Sequence, residues 1–446
     1  MVWFRGKLSL ILCSLQGTFI AIYALYMEHT DVESEFSYAV FQDVQGLLYL
    51  GIGFLLTFLK RHAFSGISFN LLATALGVQW AWIVQGFVGP EGVVSNKIKM
   101  DYSTLVDGDF AVANVLISYC AVFGKISHIQ LVVMTIVEIL VAELNEFVGI
   151  HILKALDSGD AIYIHLFSAF FGLSVSRVLY KKEIQESSKE TSDYNSDIFA
   201  LLGTIILWIY WPSFIGSVGT GLLQQKIVAN TLMSLCASTV AVFAVSSLVD
   251  KKGKLEISHI QNATLAGGVV ISACVDVIQK PYQAQILGFI GGTVSVLGFK
   301  YLQPVLLKKM KIHDTGGVNN LHALPGIVSG LAGFVFAVLA TEENYGTRLY
   351  ELYPARRNDT ENRTAWQQGY YQLAVIGSTM GISIIGGIFT GILLKLPIWN
   401  EPDAENLFDD KQSWCLTEKN DQTLDKSIKA ETSTFTSTEL FIINNQ

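Results

Sequence analysis

Charge is scarce in this chain of 446 residues: Asp, Glu, Lys and Arg make up 15% of it, where soluble globular proteins carry nearer ~25%. No run of Lys and Arg forms a basic patch. The net charge of -8 lies mostly in an acidic stretch (Glu28, Asp31, Glu33, Glu35) and in the polar sequence after Trp399, so nucleic acid is not an expected partner. The five cysteines (Cys13, Cys120, Cys236, Cys274, Cys415) show no paired spacing, and four lie in apolar segments, which argues against both a disulfide framework and a zinc site. No Ser-His-Asp motif stands in context, and no phosphate-binding loop runs into Lys-Ser/Thr. An enzyme is therefore not expected, and neither is a cofactor. Segments of about ten residues alternating apolar and polar, the mark of a transmembrane β-barrel, are missing too.

What is abundant is apolar sequence, 51% of all residues. Runs such as Leu8 to Met27, Ile198 to Val218, Ile227 to Val249 and Leu321 to Ala340 each approach the roughly 20 residues a helix needs to cross hydrocarbon. In lipid the backbone must satisfy its own hydrogen bonds, so helices are the expected spanning element. Apolar runs read against polar breaks give twelve spans, starting near residues 8, 41, 66, 108, 129, 160, 197, 226, 257, 284, 320 and 369. The first run is not closed by a small-residue cleavage site and reads as a retained helix rather than a signal peptide. The expected architecture is all-α and polytopic: a transmembrane domain over 1–398 and a cytoplasmic C-terminal tail over 399–446, at least partly disordered.

Alternate connections carry the basic residues: Arg5 and Lys7, Lys60 and Arg61, Lys125, Lys181 and Lys182, Lys251 to Lys254, and Lys308, Lys309 and Lys311. By the positive-inside rule these face the cytoplasm, as do both termini. The longest connection, Thr341 to Gln368, is then outside. It holds two glycosylation sequons, at Asn358 and Asn362, whereas a third, at Asn262, falls within a span. Gly288 and Gly292, Gly377 and Gly381, and Gly387 and Gly391 have the spacing that lets helix backbones approach closely in lipid.

Of the eight histidines, only His165 and His322 lie deep within spans, where an ionisable side chain is expensive unless it meets a partner or a cavity. Each follows an aspartate at the same interval, Asp157 before His165 and Asp314 before His322, and the two copies are offset by 157 residues. That offset is about five spans. An odd number of crossings reverses direction, so the copies form an inverted repeat. Eight helical residues rise about 12 Å, which should bring both imidazoles near the midplane of hydrocarbon about 30 Å thick. There they could share a hydrogen bond and line a narrow passage for a small polar molecule, with Asp157 and Asp314 orienting their helices as caps.

The segment Asp157-Ser-Gly-Asp-Ala-Ile-Tyr-Ile-His165-Leu-Phe-Ser-Ala-Phe-Phe-Gly-Leu173 resembles a signature of the Rh glycoproteins, in the ammonium transporter family, as does Asp314-Thr-Gly-Gly-Val-Asn-Asn-Leu-His322-Ala-Leu-Pro-Gly326. Gly77-Val-Gln-Trp80, Gly108-Asp-Phe110, Trp211-Pro-Ser-Phe214, Lys251-Lys-Gly-Lys-Leu255, the run His259 to Gly268, and Phe408-Asp-Asp410 with Trp414 resemble the same family, over roughly residues 8 to 415. Asp160, Tyr163, Ser168 and His128 depart from its commonest signature.

The resemblance implies a plasma-membrane homotrimer in which each subunit has its own pore, built from two inverted five-helix halves plus an extra first helix. It implies that His165 and His322 are twin pore histidines and that Phe110 and Phe214 form an aromatic gate on the outer side. The substrate it implies is ammonium or ammonia. On that footing, Glu146 and Asp109, near the outer ends of their spans, are expected to concentrate ammonium at the mouth by negative potential. The ion would leave its proton before or at the gate. A conduit for carbon dioxide or another small neutral species, and a non-conducting structural subunit, stay open as alternatives.

Overall fold

The computed structural model describes residues 6–30, 37–88 and 97–416. Arg5, Asp31, Glu33, Glu35 and the tail beyond 416 lie outside the described residues. Ten helices there are long and apolar enough to cross a membrane: α1 (Lys7–Tyr26), α2 (Tyr38–Phe58), α3 (Ala63–Val88), α4 (Tyr102–Val122), α6 (Ala161–Leu179), α7 (Tyr194–Gly216), α8 (Gly221–Val249), α11 (Pro281–Met310), α12 (Asn319–Leu339) and α13 (Ala365–Leu394). Between them stand α5 (His128–Phe147), α9 (Ile257–Ala263) and α10 (Ala266–Ser272). The chain is a multi-pass membrane protein.

The expected twelve spans are not all single helices. The one starting near 129 is α5, which holds Glu138, Glu143 and Glu146 and is not among the ten. The one starting near 257 is broken at Thr264 and Leu265 into α9 and α10, seven residues each, about 10 Å of rise and far too short to span alone. The break is tolerated because protein surrounds it. Every residue of α10 is buried, and irregular backbone at membrane depth survives only where lipid cannot reach it. The fold also holds one small departure from all-α: strands Met27–His29 and Ile98–Met100 pair in parallel.

Helix boundaries follow local chemistry. Asp101 caps α4, Ser127 with Gln130 closes a capping box on α5, Asp193 with Ser196 does so on α7, and Thr364 with Gln367 on α13. Each satisfies N–H groups that have no partner within the helix. Close approach at glycine is real at some predicted positions and absent at others. A Cβ on Gly288 or Gly292 would strike Ser234 or Ser238 of α8, and one on Gly387 would strike Phe171 of α6, whereas Gly377 and Gly381 face open space.

The inverted repeat is visible in the backbone. The N–H of Gly159 donates to Ser272 O at the end of α10, and that of Gly316 donates to Cys120 O near the end of α4, each at 3.0 Å. Lys154 and Lys311 are both left-handed, and so are Asp160 and Gly317, each pair separated by the interval that separates the two histidines. Helices α6 and α12 therefore enter the bundle from opposite sides and meet where Gly326 approaches Ala161 O. Helices α4 and α6 are the most enclosed, and α1 lies at the periphery, packing on α3 and α5 through Phe19, Leu76, Ile83 and Val132.

The start of α1 and the end of α13 share one face, where Lys7 Nζ donates to Ile398 O at 2.8 Å. The sequence directly after α13 is fastened to that same end of the bundle. Phe408 N–H donates to Gly124 O, and the Asp410 carboxylate accepts from Phe64 N–H and Ser65 N–H, capping α3.

Candidate functional site

Asp157 and Asp314 cap the two opposed helices. Asp157 accepts from Ile162 and Tyr163 N–H at 2.7 and 2.9 Å, and Asp314 from Val318 and Asn319 N–H at 3.0 and 2.9 Å. Burial pushes the Asp157 carboxyl up to about 7, against the downward pull of those N–H groups, and it pushes Asp314 up in the same way. Both helices then open on a π-helical turn, Ala161–Leu166 and Asn319–Ala323, and each turn carries one histidine. In the first, Ile164 and His165 N–H share the Asp160 carbonyl at 3.1 Å each. Such widened turns re-aim side chains and recur at functional sites.

The result is that His165 Nδ1 and His322 Nδ1 lie 3.1 Å apart, with ring centroids 5.1 Å apart and planes 24° from parallel. A hydrogen bond between them needs one nitrogen to donate and the other to accept, which two neutral imidazoles of opposite tautomer provide. Trp211 stacks on His165 with centroids 5.6 Å apart. The other His165 nitrogen, Nε2, is buried and has no partner.

Both rings line a narrow cavity of about 40 Å³ whose remaining wall is almost entirely apolar, including Leu47, Ile52, Ala113, Leu207 and Leu321. Phe214 closes one end. Its ring meets Phe110 with centroids 4.6 Å apart and planes at 60°, and Phe110 belongs to a second, larger cleft of about 410 Å³. The phenylalanine pair thus stands between the narrow lumen and the cleft.

The cleft has the opposite character. Asp107, Glu143, Glu146 and Asp160 line it, with Trp82, Asn114 and His151. Helix α4 presents Thr104, Asp107, Phe110, Ala111 and Asn114 to it, the three- and four-residue steps of one helix face. Asp109 is off that face. It is fully buried and its two oxygens accept from Gln45 Nε2 at 2.7 Å. The structure therefore brings Glu146 to the cleft and takes Asp109 away from it, because consecutive helical residues turn by about 100°.

Sequence reasoning passed over Asp107 and Glu143 and treated Asp160 only as a departure from a signature. The signal was available: Asp107 stands three residues before Phe110, and Glu143 three before Glu146. Asp160 has φ 61° where its repeat counterpart is Gly317 at φ 72°, so an acidic side chain occupies a backbone position suited to glycine. Asn358 and Asn362 are exposed in the long connection before α13. The Asn262 side chain instead donates back to Ser258 O inside α9.

Residues 2–412 match the model of the Ammonium Transporter Family. The chain is 41% identical over 406 residues to the ammonium transporter Rh type C of Xenopus laevis, covering 89% of this chain and 85% of that one. It is 40% identical to the ammonium transporter Rh type A of Bos taurus, covering 93% and 96%. Its fold superposes on the Rh50 protein of Nitrosomonas europaea with a TM-score of 0.74 at 30% identity, over 90% of this chain and 97% of that one. A membrane bundle with paired, oppositely directed half-sites and a match running nearly end to end has one reading at this level: the chain belongs to the Ammonium Transporter Family.

Proposed function

We propose that this protein is a passive, channel-like conduit for ammonia, fed by ammonium gathered at the acidic cleft. The observation that carries the reading is the abrupt change of wall chemistry across Phe110 and Phe214, from a carboxylate-lined cleft to an apolar lumen with two imidazoles. Moving an ammonium ion into a low-dielectric core has an idealised cost of order 20 kcal/mol. Neutral ammonia gives up only hydrogen bonds worth a few kcal/mol. The lumen therefore admits the neutral molecule, and the His165 and His322 ring nitrogens replace part of what it loses.

Recruitment falls to Glu146 together with Asp107, Glu143 and Asp160, whose negative potential raises the local concentration of cations. Asp109 takes no part in this version. Phe110 and Phe214 act as the gate, and Asp157 and Asp314 fix the histidine-bearing turns. The cleft favours a cationic precursor over carbon dioxide, which has no charge to gather. The active unit is a homotrimer in the plasma membrane with a pore in each subunit, both termini cytoplasmic, and Asn358 and Asn362 available to glycosylation outside.

The test is stopped-flow measurement of internal pH in proteoliposomes exposed to an ammonium gradient. Intact protein should alkalinise vesicles well above the protein-free rate, and His322→Ala should lose most of the gain. Equal rates in loaded and empty vesicles would refute the conduit and favour a structural subunit.

A further inference from the structure

Glu138 lies midway along α5, fully buried, at a depth where an isolated charge is expensive. Among the described residues no cation pairs with it. Its one contact is with the hydroxyl of Ser118 on α4, and its second oxygen, Oε2, has no partner. Ser118 Oγ also lies 2.8 Å from Ser168 O on α6.

The hydrogen count settles the direction of this chain. A hydroxyl has one hydrogen to give, and a main-chain carbonyl can only accept. Were Glu138 ionised, Ser118 would either donate to it and face Ser168 O with no hydrogen between them, or donate to Ser168 and leave a bare carboxylate. One proton on Glu138 resolves both contacts: the carboxyl donates to Ser118, and Ser118 donates to Ser168 O. The same count applies one step on. Ser168 Oγ lies 2.5 Å from Ile164 O and must donate there, so the neighbouring Asn114 amide turns its nitrogen inward, reaching Ser168 Oγ at 2.7 Å and Tyr163 O at 3.1 Å.

We propose that Glu138 is an un-ionised carboxylic acid that serves as a positioning residue for the first pore histidine. The line Glu138, Ser118, Ser168 ties α5 and α4 to the turn of α6 that directly follows His165, while Asn114 ties the π-helical turn to the cleft-facing side of α4. Asp157 holds that turn from its other end. The pore-helix carbonyls of Tyr163, Ile164 and Ser168 thereby receive side-chain donors, and His165 is fixed without any charge being placed in the core.

The transport arm of the test rests on the conduit reading above; the spectroscopic arm does not. Infrared difference spectra of the purified full-length protein against Glu138→Gln at neutral pH should show the carbonyl stretch of an un-ionised carboxyl, lost in the variant. Carboxylate bands in its place would overturn the assignment. In proteoliposomes Glu138→Gln, whose amide donates to Ser118 as the acid does, should conduct within about twofold of the parent. Glu138→Ala should fall about tenfold, the effect of losing one buried hydrogen bond. Glu138→Gln damaged as badly as Glu138→Ala would show that charge matters, and Glu138→Ala conducting like the parent would remove the positioning role. A parent protein without conduction would defeat the conduit reading while leaving the infrared result to decide the state of Glu138.

Discussion

The acidic cleft and the narrow lumen share a wall of two phenyl rings and differ in almost everything else. The cleft is about ten times larger, about 410 against 40 Å³, and is lined by four acidic side chains and Lys99, whereas the lumen's polar side-chain nitrogens come from His165, His322 and Trp211. On the proposed reading, the contrast teaches that gathering a cation and passing a neutral molecule need opposite surroundings, and that one thin barrier would keep both in one molecule. A charge that helps on one side is prohibitive on the other.

The comparison can be broken most severely from within the lumen. His165→Leu removes the pairing partner of His322 and the free Nε2 together, and ammonia entry in the proteoliposome assay should fall at least about tenfold, since an unreplaced hydrogen bond costs a few kcal/mol. Next in size is Phe214→Ala, which joins cleft to lumen. Entry of a bulkier amine, such as methylamine, should rise relative to ammonia. Thermal unfolding should also shift down, because a buried Phe to Ala change costs about 3–5 kcal/mol when the cavity does not collapse.

Changes on the cleft side should be milder and should depend on salt. Glu146→Gln is expected to lower entry about two- to threefold at low ammonium and low ionic strength, an effect that fades as salt screens the cleft. Asp160→Gly sharpens the comparison because its two effects have opposite sign. Relief of a left-handed non-glycine should stabilise the fold by up to about 1 kcal/mol, read as a higher midpoint of thermal unfolding, while entry at low ammonium declines. Asp109→Asn should change entry least, by less than about twofold, since its carboxylate meets Gln45 rather than the cleft.

Much of this was legible in the chain because the relevant residues are rare in their surroundings. Two histidines in apolar runs, each the same distance after an aspartate, stand out by type and interval, and the structure brings them into contact. The helix break at Thr264 and Leu265 was not legible. No proline marks it in the sequence, and what stops a single helix is tertiary: the Trp211 indole fills the space beside Gly268, and the backbone of Ser234 presses on Gly267. That Asp107 and not Asp109 lines the cleft was not legible for a different reason. Both acids lie near the end of a span, and only the face set by Phe110 tells them apart. The state proposed for Glu138 was not legible either, because the direction of its bond depends on Ser118 and Ser168, which come from two other helices.

The central claim is that ammonia travels through the lumen beside His165 and His322 and by no other path. Ala113 lines that lumen and its side chain is small, so Ala113→Phe places a ring in a space of about 40 Å³ while leaving the carboxylates of the cleft and both histidines in place. Stopped-flow ammonia entry by this variant, reconstituted after it elutes as a single folded species, should drop to the rate of protein-free vesicles. Entry unchanged from the parent would contradict the account.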